Sequence, residues 1–167
     1  MRMRKITIGV MGPGENAIAS DLENAYKLGQ LIAAQGWILL TGGRNVGVMD
    51  AASKGAKAAG GLTVGILPTK NLEAVSEAVD IAIVTDMGNA RNNINVLSCD
   101  AIVACGMGTG TTSEVALALK NGKSVVLLTQ SQESIQFFTS LCQERIFVAD
   151  NVETAIALVK EILRKSV

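Results

Sequence analysis

Ten consecutive residues, Cys105-Gly106-Met107-Gly108-Thr109-Gly110-Thr111-Thr112-Ser113-Glu114, place glycines, hydroxyls and a carboxylate side by side. An apolar, strand-like run (100–104) precedes them, and a helix-like run (115–120) closed by Asn121-Gly122 follows. A strand, a glycine turn and a helix in that order make an anion site. The unpaired N–H groups of the helix's first turn point at a bound phosphate, and the helix dipole adds to them. The hydroxyls of Thr109, Thr111, Thr112 and Ser113 are further donors. The stretch is neither G-x-G-x-x-G nor the Walker pattern with its lysine. Thr111-x-x-Glu114 also has the spacing of a capping box, which needs no ligand. Two guanidinium forks, Arg44 and Arg91, lie in other loops and suit phosphate or carboxylate. Glu114 is the odd member: a carboxylate in a first turn suits the dipole but repels a phosphate placed there. Either it caps the helix, or Arg91 lies beside it, or it acts on a neutral part of the ligand. Glu15 and Asp50 fall near loop ends as capping or surface residues, and Asp86 and Asp100 bracket the segment carrying Arg91. Cys105 reads as a buried, inert thiol. The chain has no histidine, so general-base work falls to carboxylates. No residue set resembles a metal site.

The elements that must position these groups alternate along the chain. Apolar runs at 5–11, 37–41, 62–67, 81–85, 100–104, 124–128 and 145–148 read as strands, the last a short edge strand. Helical patterns lie between them. One opens at the capping box Ser20-x-x-Glu23 and carries Leu22, Tyr26, Leu28, Leu31 and Ile32. Others span 48–59, 89–97 and 134–141. A final amphipathic helix, capped by Asp150-x-x-Glu153, turns Ile156, Val159, Ile162 and Leu163 inward. Residues 69–78 are polar and loop-like. Alternating helices and continuous apolar strands predict an α/β fold with a mainly parallel sheet covered on both faces. Ligands of such sheets bind beyond the carboxyl ends of the strands. The unusual loops 12–16, 42–47, 85–91 and 106–114 all leave strands at that end, so they are expected to converge.

The length suits one domain over 1–167. Zero net charge gives no electrostatic footprint for nucleic acid. No apolar run approaches the ~20 residues of a membrane span. The basic start, Met1-Arg2-Met3-Arg4-Lys5, lacks the long apolar run of a signal peptide. Cys99, Cys105 and Cys142 form no CxxC and read as reduced thiols, which suits a cytoplasmic setting.

The chain resembles the lysine-decarboxylase-like, or LOG, group of Rossmann-type proteins, named for a cytokinin-activating phosphoribohydrolase. That group's P-G-G-x-G-T-x-x-E motif falls on residues 106–114, with Gly106-Met107 replacing its Pro-Gly. Its paired arginine falls on Arg91. Its G-G-x-x-x-G-x-M segment matches Gly42-Gly43-Arg44-Asn45-Val46-Gly47-Val48-Met49, and the run 58–68 also matches. The resemblance implies a Rossmann-like, doubly wound sheet. Hydrolases of the group follow their arginine with lysine, whereas Asn92 follows Arg91 here. The run Arg91-Asn92-Asn93-Ile94-Asn95-Val96-Leu97-Ser98 and the short length are more similar to the branch containing molybdenum cofactor carriers. Those proteins hold a phosphorylated pterin through the phosphate site, with no protein metal ligand, and form homo-oligomers. The likeness therefore implies molybdenum cofactor as bound ligand. The expected ligand-binding residues are Gly12, Gly14, Gly42, Gly43, Arg44, Gly47, Arg91, Asn92, Gly108, Thr109, Gly110, Thr111, Thr112 and Glu114. Two alternatives share this site. One is a nucleoside 5′-monophosphate phosphoribohydrolase with Arg91 and Glu114 catalytic. The other is a nucleotide-binding regulatory module. The expected partners are a phosphorylated small molecule and copies of the chain. A homodimer or homotetramer would pair through the apolar segments 91–97 and 115–119. No nucleic-acid or membrane partner is expected.

Overall fold

The computed structural model describes residues 4–165; Met1, Arg2 and Met3 of the basic start lie outside the described residues. Seven strands are observed: β1 (Thr7–Met11), β2 (Ile38–Thr41), β3 (Thr63–Leu67), β4 (Ile81–Val84), β5 (Ala101–Cys105), β6 (Val125–Leu128) and β7 (Ile146–Val148). Six α-helices join them: α1 (Ala19–Ala34), α2 (Gly47–Ala58), α3 (Arg91–Leu97), α4 (Thr109–Lys120), α5 (Gln132–Leu141) and α6 (Val152–Lys165). Every strand pairing is parallel, in the order β4-β3-β2-β1-β5-β6-β7. The chain winds outward from β1 in one direction, then restarts at β5 and winds in the other. This is the doubly wound, Rossmann-like arrangement, and its topological switch lies between β1 and β5.

Side chains alternate across a strand, and the core divides accordingly. Ile8 and Val10 of β1, Ala101, Val103 and Cys105 of β5, and Val126 and Leu128 of β6 face one layer, with α1, α2 and α6 packed over them. Met11, Ile102, Ala104, Val125 and Leu127 face the other, covered by α3, α4 and α5. Both faces of the central strands are buried, which is why those strands read as unbroken apolar runs. The predicted inward residues Ile156, Val159 and Ile162 of α6 all join the first layer.

The predicted helix starts need correction. Ser20 and Glu23 form no capping box: α1 begins at Ala19, and it is the Asp21 carboxylate that accepts from the Ile18 N–H at 3.4 Å. Asp150 does not cap α6; the Asn151 side chain accepts from the Thr154 N–H at 2.9 Å. Thr111 and Glu114 do not cap α4, whose cap position is Gly108. In each case the pattern Ser/Thr/Asp-x-x-Glu recurs by chance inside a helix or one residue off its start. Local spacing cannot fix where the backbone leaves the preceding turn.

Candidate functional site

Three strands around the switch, β1, β2 and β5, end in loops that enclose a cavity of about 230 Å³. Its lining includes Gly12, Gly14, Gly42, Arg44, Arg91, Asn92, Gly108, Thr109, Gly110, Thr111 and Glu114, eleven of the fourteen residues expected from the sequence. Gly43, Gly47 and Thr112 do not line it. Gly47 has φ +59°, and a Cβ there would stand 2.2 Å from the Gly14 carbonyl oxygen. It supports the 12–16 loop from beneath. Gly43 packs on the backbone of Gly65 in β3. Thr112 is half-buried in the first turns of α4, where its N–H donates to the Gly108 carbonyl at 2.8 Å. The lining also includes Met11, Pro13, Asn16, Met49 and Asn89. Asn16 and Asn89 belong to loops expected to converge, and Met49 to the G-G-x-x-x-G-x-M segment.

The floor of the site is built on α4. Gly106, with φ +74°, turns the chain out of β5, and Gly108 then starts the helix in an extended conformation with no side-chain cap. The first-turn N–H groups of α4 are left for a ligand or water. Thr111 lines the cavity with its Oγ1 buried and without a hydrogen-bond partner. Gly110 has no positive φ, and a Cβ placed on it would meet nothing within 4 Å. Its role is therefore to leave space over the helix start, not to supply a left-handed turn.

Arg91 opens α3 and reaches under the β2 loop. A Cβ on Gly42 would lie 2.1 Å from Arg91 Nη1, so only glycine at 42 leaves room for the guanidinium. Nη1 donates to the Ile66 carbonyl at 2.8 Å, while Nε is buried without a partner. Arg91 is 8% exposed, and none of the ion pairs among the described residues includes it. Burial lowers its proton affinity, the Glu114 charge opposes this, and Arg44 adds to it. A guanidinium stays protonated even so, which leaves a buried cation facing a cavity.

Glu114 lies beyond the first turn of α4, 7% exposed. Its capping role is overturned; its Oε1 instead accepts from Asn95 Nδ2 of α3 at 2.9 Å. Burial pushes its carboxyl above the ordinary range, while the Asn95 hydrogen bond and the Arg91 charge act the other way. Asn92 Nδ2 donates to Ser113 Oγ at 2.8 Å, and Ser113 Oγ donates to the Gly110 carbonyl at 2.8 Å. The asparagine run thus docks α3 onto α4. Asn95 was not among the expected site residues, although its spacing from Arg91 and Asn92 puts all three on one helix face.

At the rim, the half-buried Arg44 pairs with the exposed Glu15 at 3.2 Å. Glu15, read from the sequence as a cap or surface residue, is a wall of the cavity. Segment 69–80 straps the Arg44 loop: the Asn45 N–H donates to the Ala74 carbonyl at 2.8 Å and the Ser76 N–H to the Gly43 carbonyl at 2.9 Å. Asp50 accepts from Ser76 Oγ at 2.7 Å on the outside of this loop. Asp100 accepts from the Thr7 N–H at 2.8 Å, and Asp86 holds a left-handed turn at φ 54°; neither lines the cavity. Cys99 and Cys105 are buried thiols pushed up to about 12, chiefly by desolvation. Among the described residues no cluster of three or more His, Cys, Asp or Glu could hold a metal ion, and no helix is long and apolar enough to cross a membrane.

A family model described as the SLOG cluster4 family matches residues 5–156. The chain belongs to the SLOG cluster4 family. Its fold superposes on that of the molybdenum cofactor binding protein from the phototrophic bacterium Rippkaea orientalis with a TM-score of 0.95 and 62% identity, covering 97% of this chain and 99% of that one. The Moco carrier protein from Chlamydomonas reinhardtii is similar at TM-score 0.91 and 56% identity, with 97% and 99% covered. A more distant relative is the cytokinin riboside 5′-monophosphate phosphoribohydrolase of Mycobacterium tuberculosis, 29% identical over 90% of this chain and 91% of that protein. Both arms of the resemblance drawn from the motifs, to carriers and to LOG-type hydrolases, are found among the relatives of this SLOG cluster4 member.

Proposed function

We propose that this protein is a molybdenum cofactor carrier or storage protein that binds the phosphorylated pterin in the cavity at the β1–β5 switch. The observation that supports it most is near-full-length identity of 56–62% to proteins described as Moco binding or carrier proteins. The cavity's chemistry is compatible with that cargo. The phosphate would sit on the uncapped start of α4, receiving donors from Gly108, Thr109, Gly110 and Thr111, with Arg91 supplying charge. The loops 12–16 and 42–47, with Arg44 and Asn92, would wall the pterin. The metal travels with the cargo's own dithiolene and is not asked of the protein. The test is addition of molybdenum cofactor to the purified protein. Stoichiometric retention, with slowed cofactor oxidation, supports carriage; oxidation at the rate of free cofactor removes the reading.

The phosphoribohydrolase reading is kept because Glu114 is a buried carboxylate facing the cavity near Arg91, as stabilisation of an oxocarbenium-like transition state requires. Base release from AMP by the wild type, lost in Glu114→Gln, would favour it and sink carriage as a complete account.

We also propose that the chain forms a homodimer or homotetramer. The apolar residues expected to pair subunits are largely spent on the core, since Val96, Val115 and Ala118 are fully buried. Leu97 of those segments stays exposed, and further exposed apolar residues lie on the edge strand, at Ile81, Ile83 and Val84, and nearby at Met87. A mass from light scattering equal to a monomer at micromolar concentration would refute a dimer or tetramer.

A further inference from the structure

Three asparagines on α3 each bond to a residue of α4 or to its C-cap, Asn121. Asn92 reaches Ser113, Asn93 Oδ1 accepts from Asn121 Nδ2 at 3.3 Å, and Asn95 reaches Glu114. The first two contacts only join helices. The third differs, because Asn95 is completely buried and holds a carboxylate that lines the ligand cavity. Its backbone carbonyl accepts from Cys99 Sγ at 3.1 Å, and its side-chain Oδ1 is buried without a partner. An asparagine kept in the core with one end of its amide unsatisfied costs stability. Leu or Met would fill the space without that cost, so the amide is there for what its other end does. That end grips Glu114 Oε1. Glu114 Oε2 accepts no hydrogen bond among the described residues.

We propose that Asn95 is the positioning residue of this site: its side-chain amide fixes Glu114 with one oxygen bound to the protein and the other presented to the cavity, as acceptor for an N–H or O–H group on the neutral part of a phosphorylated ligand. The inference rests on reading the cavity as the ligand site. It resolves the conflict of a carboxylate beside an anion site. The phosphate takes the helix start and Arg91, and the carboxylate, held one turn further along α4, takes a donor such as a ring N–H, an exocyclic amine or a sugar hydroxyl. A carboxylate free to swing would approach Arg91 and compete with the phosphate; the amide tether prevents this. The charged or titratable groups around Glu114 are Arg91 on α3, Cys99 just beyond that helix, and the Arg44–Glu15 pair at the rim.

The test has a ligand-free arm and a ligand arm. Carboxyl 13C NMR on glutamate-labelled protein follows the titration of Glu114, whose signal is the one missing in Glu114→Gln. In Asn95→Leu the Glu114 midpoint should move up, because a donor to the ionised form is gone. Asn95→Ala gives a second chance if the leucine variant does not fold. An unmoved or lowered midpoint overturns the proposal. Calorimetry with AMP and with inorganic phosphate then reads positioning. Asn95→Leu should weaken AMP about tenfold and leave phosphate within about twofold, and it should have no further effect in a Glu114→Gln background. Equal losses for AMP and phosphate would mean a merely structural residue and overturn the proposal. If the wild type binds neither probe, the nucleotide reading of the cavity falls while the cofactor-retention test still judges the carrier reading, and the NMR midpoint decides whether Asn95 controls Glu114.

Discussion

The helices α4 and α5 both follow strands at the carboxyl edge of the sheet, on the same face, and they begin in opposite ways. At α5, Ser131 takes the cap position, and its Oγ accepts from the Ser134 N–H at 3.2 Å. The Ser134 hydroxyl lies 2.8 Å from it, and Glu133 puts a negative charge in the first turn. That helix start is satisfied by its own side chains. At α4 the cap is Gly108, which has no side chain to give, and the first turn carries no acid. Thr111, which lines the cavity, has its Oγ1 buried and without a partner. Buried polar groups are normally paired, so the contrast accords with the proposal that a bound ligand completes the start of α4. The difference lies in one residue at each cap, on otherwise similar strand–turn–helix units.

Changes at these two starts should separate ligand binding from stability. The largest effect is expected from Arg91→Leu, which removes the buried cation facing the α4 start. AMP affinity by calorimetry should fall on the order of 30- to 100-fold, the worth of charge-assisted hydrogen bonds, while the protein still unfolds cooperatively. Retained affinity would place the anion elsewhere. Gly110→Val puts a branched side chain into the open space above α4. It should weaken binding about tenfold or more without a cost in stability, because valine has a higher helix propensity than glycine and the added Cβ meets nothing within 4 Å. Crystals soaked with AMP should then show no anion at residues 108–111. Ser131→Ala strips the cap from α5. It should cost about 1 kcal/mol in denaturant unfolding and leave AMP affinity unchanged; a loss of affinity would show that the two starts are coupled. Gly108→Ser gives α4 a cap like that of α5. The added Cβ meets only ordinary contacts with Pro13 at 3.5 Å. Stability should rise by a few tenths of a kcal/mol, while affinity drops slightly as the hydroxyl competes for the same N–H groups. A rise in affinity would instead make the serine a ligand donor.

The sequence by itself determined the alternation of elements, the parallel sheet and the four loops gathered at one edge, because strands buried on both faces must be continuously apolar and glycine turns must follow them. It also singled out Arg91 and Glu114, since an arginine and a carboxylate stand out among the glycines and hydroxyls of those loops. The tertiary structure alone decided what they do. Glu114 matched a capping box by spacing, yet the helix begins at Thr109, just after the extended Gly108, which moves Glu114 past the first turn and into contact with Asn95. That contact joins residues nineteen positions apart and depends on how α3 seats against α4, which no local pattern encodes. Gly43 and Gly47 looked like ligand glycines and turned out to support backbone. A glycine needed for a left-handed turn or a close approach and a glycine needed for a ligand leave the same mark in a sequence, and only the space around the missing Cβ tells them apart.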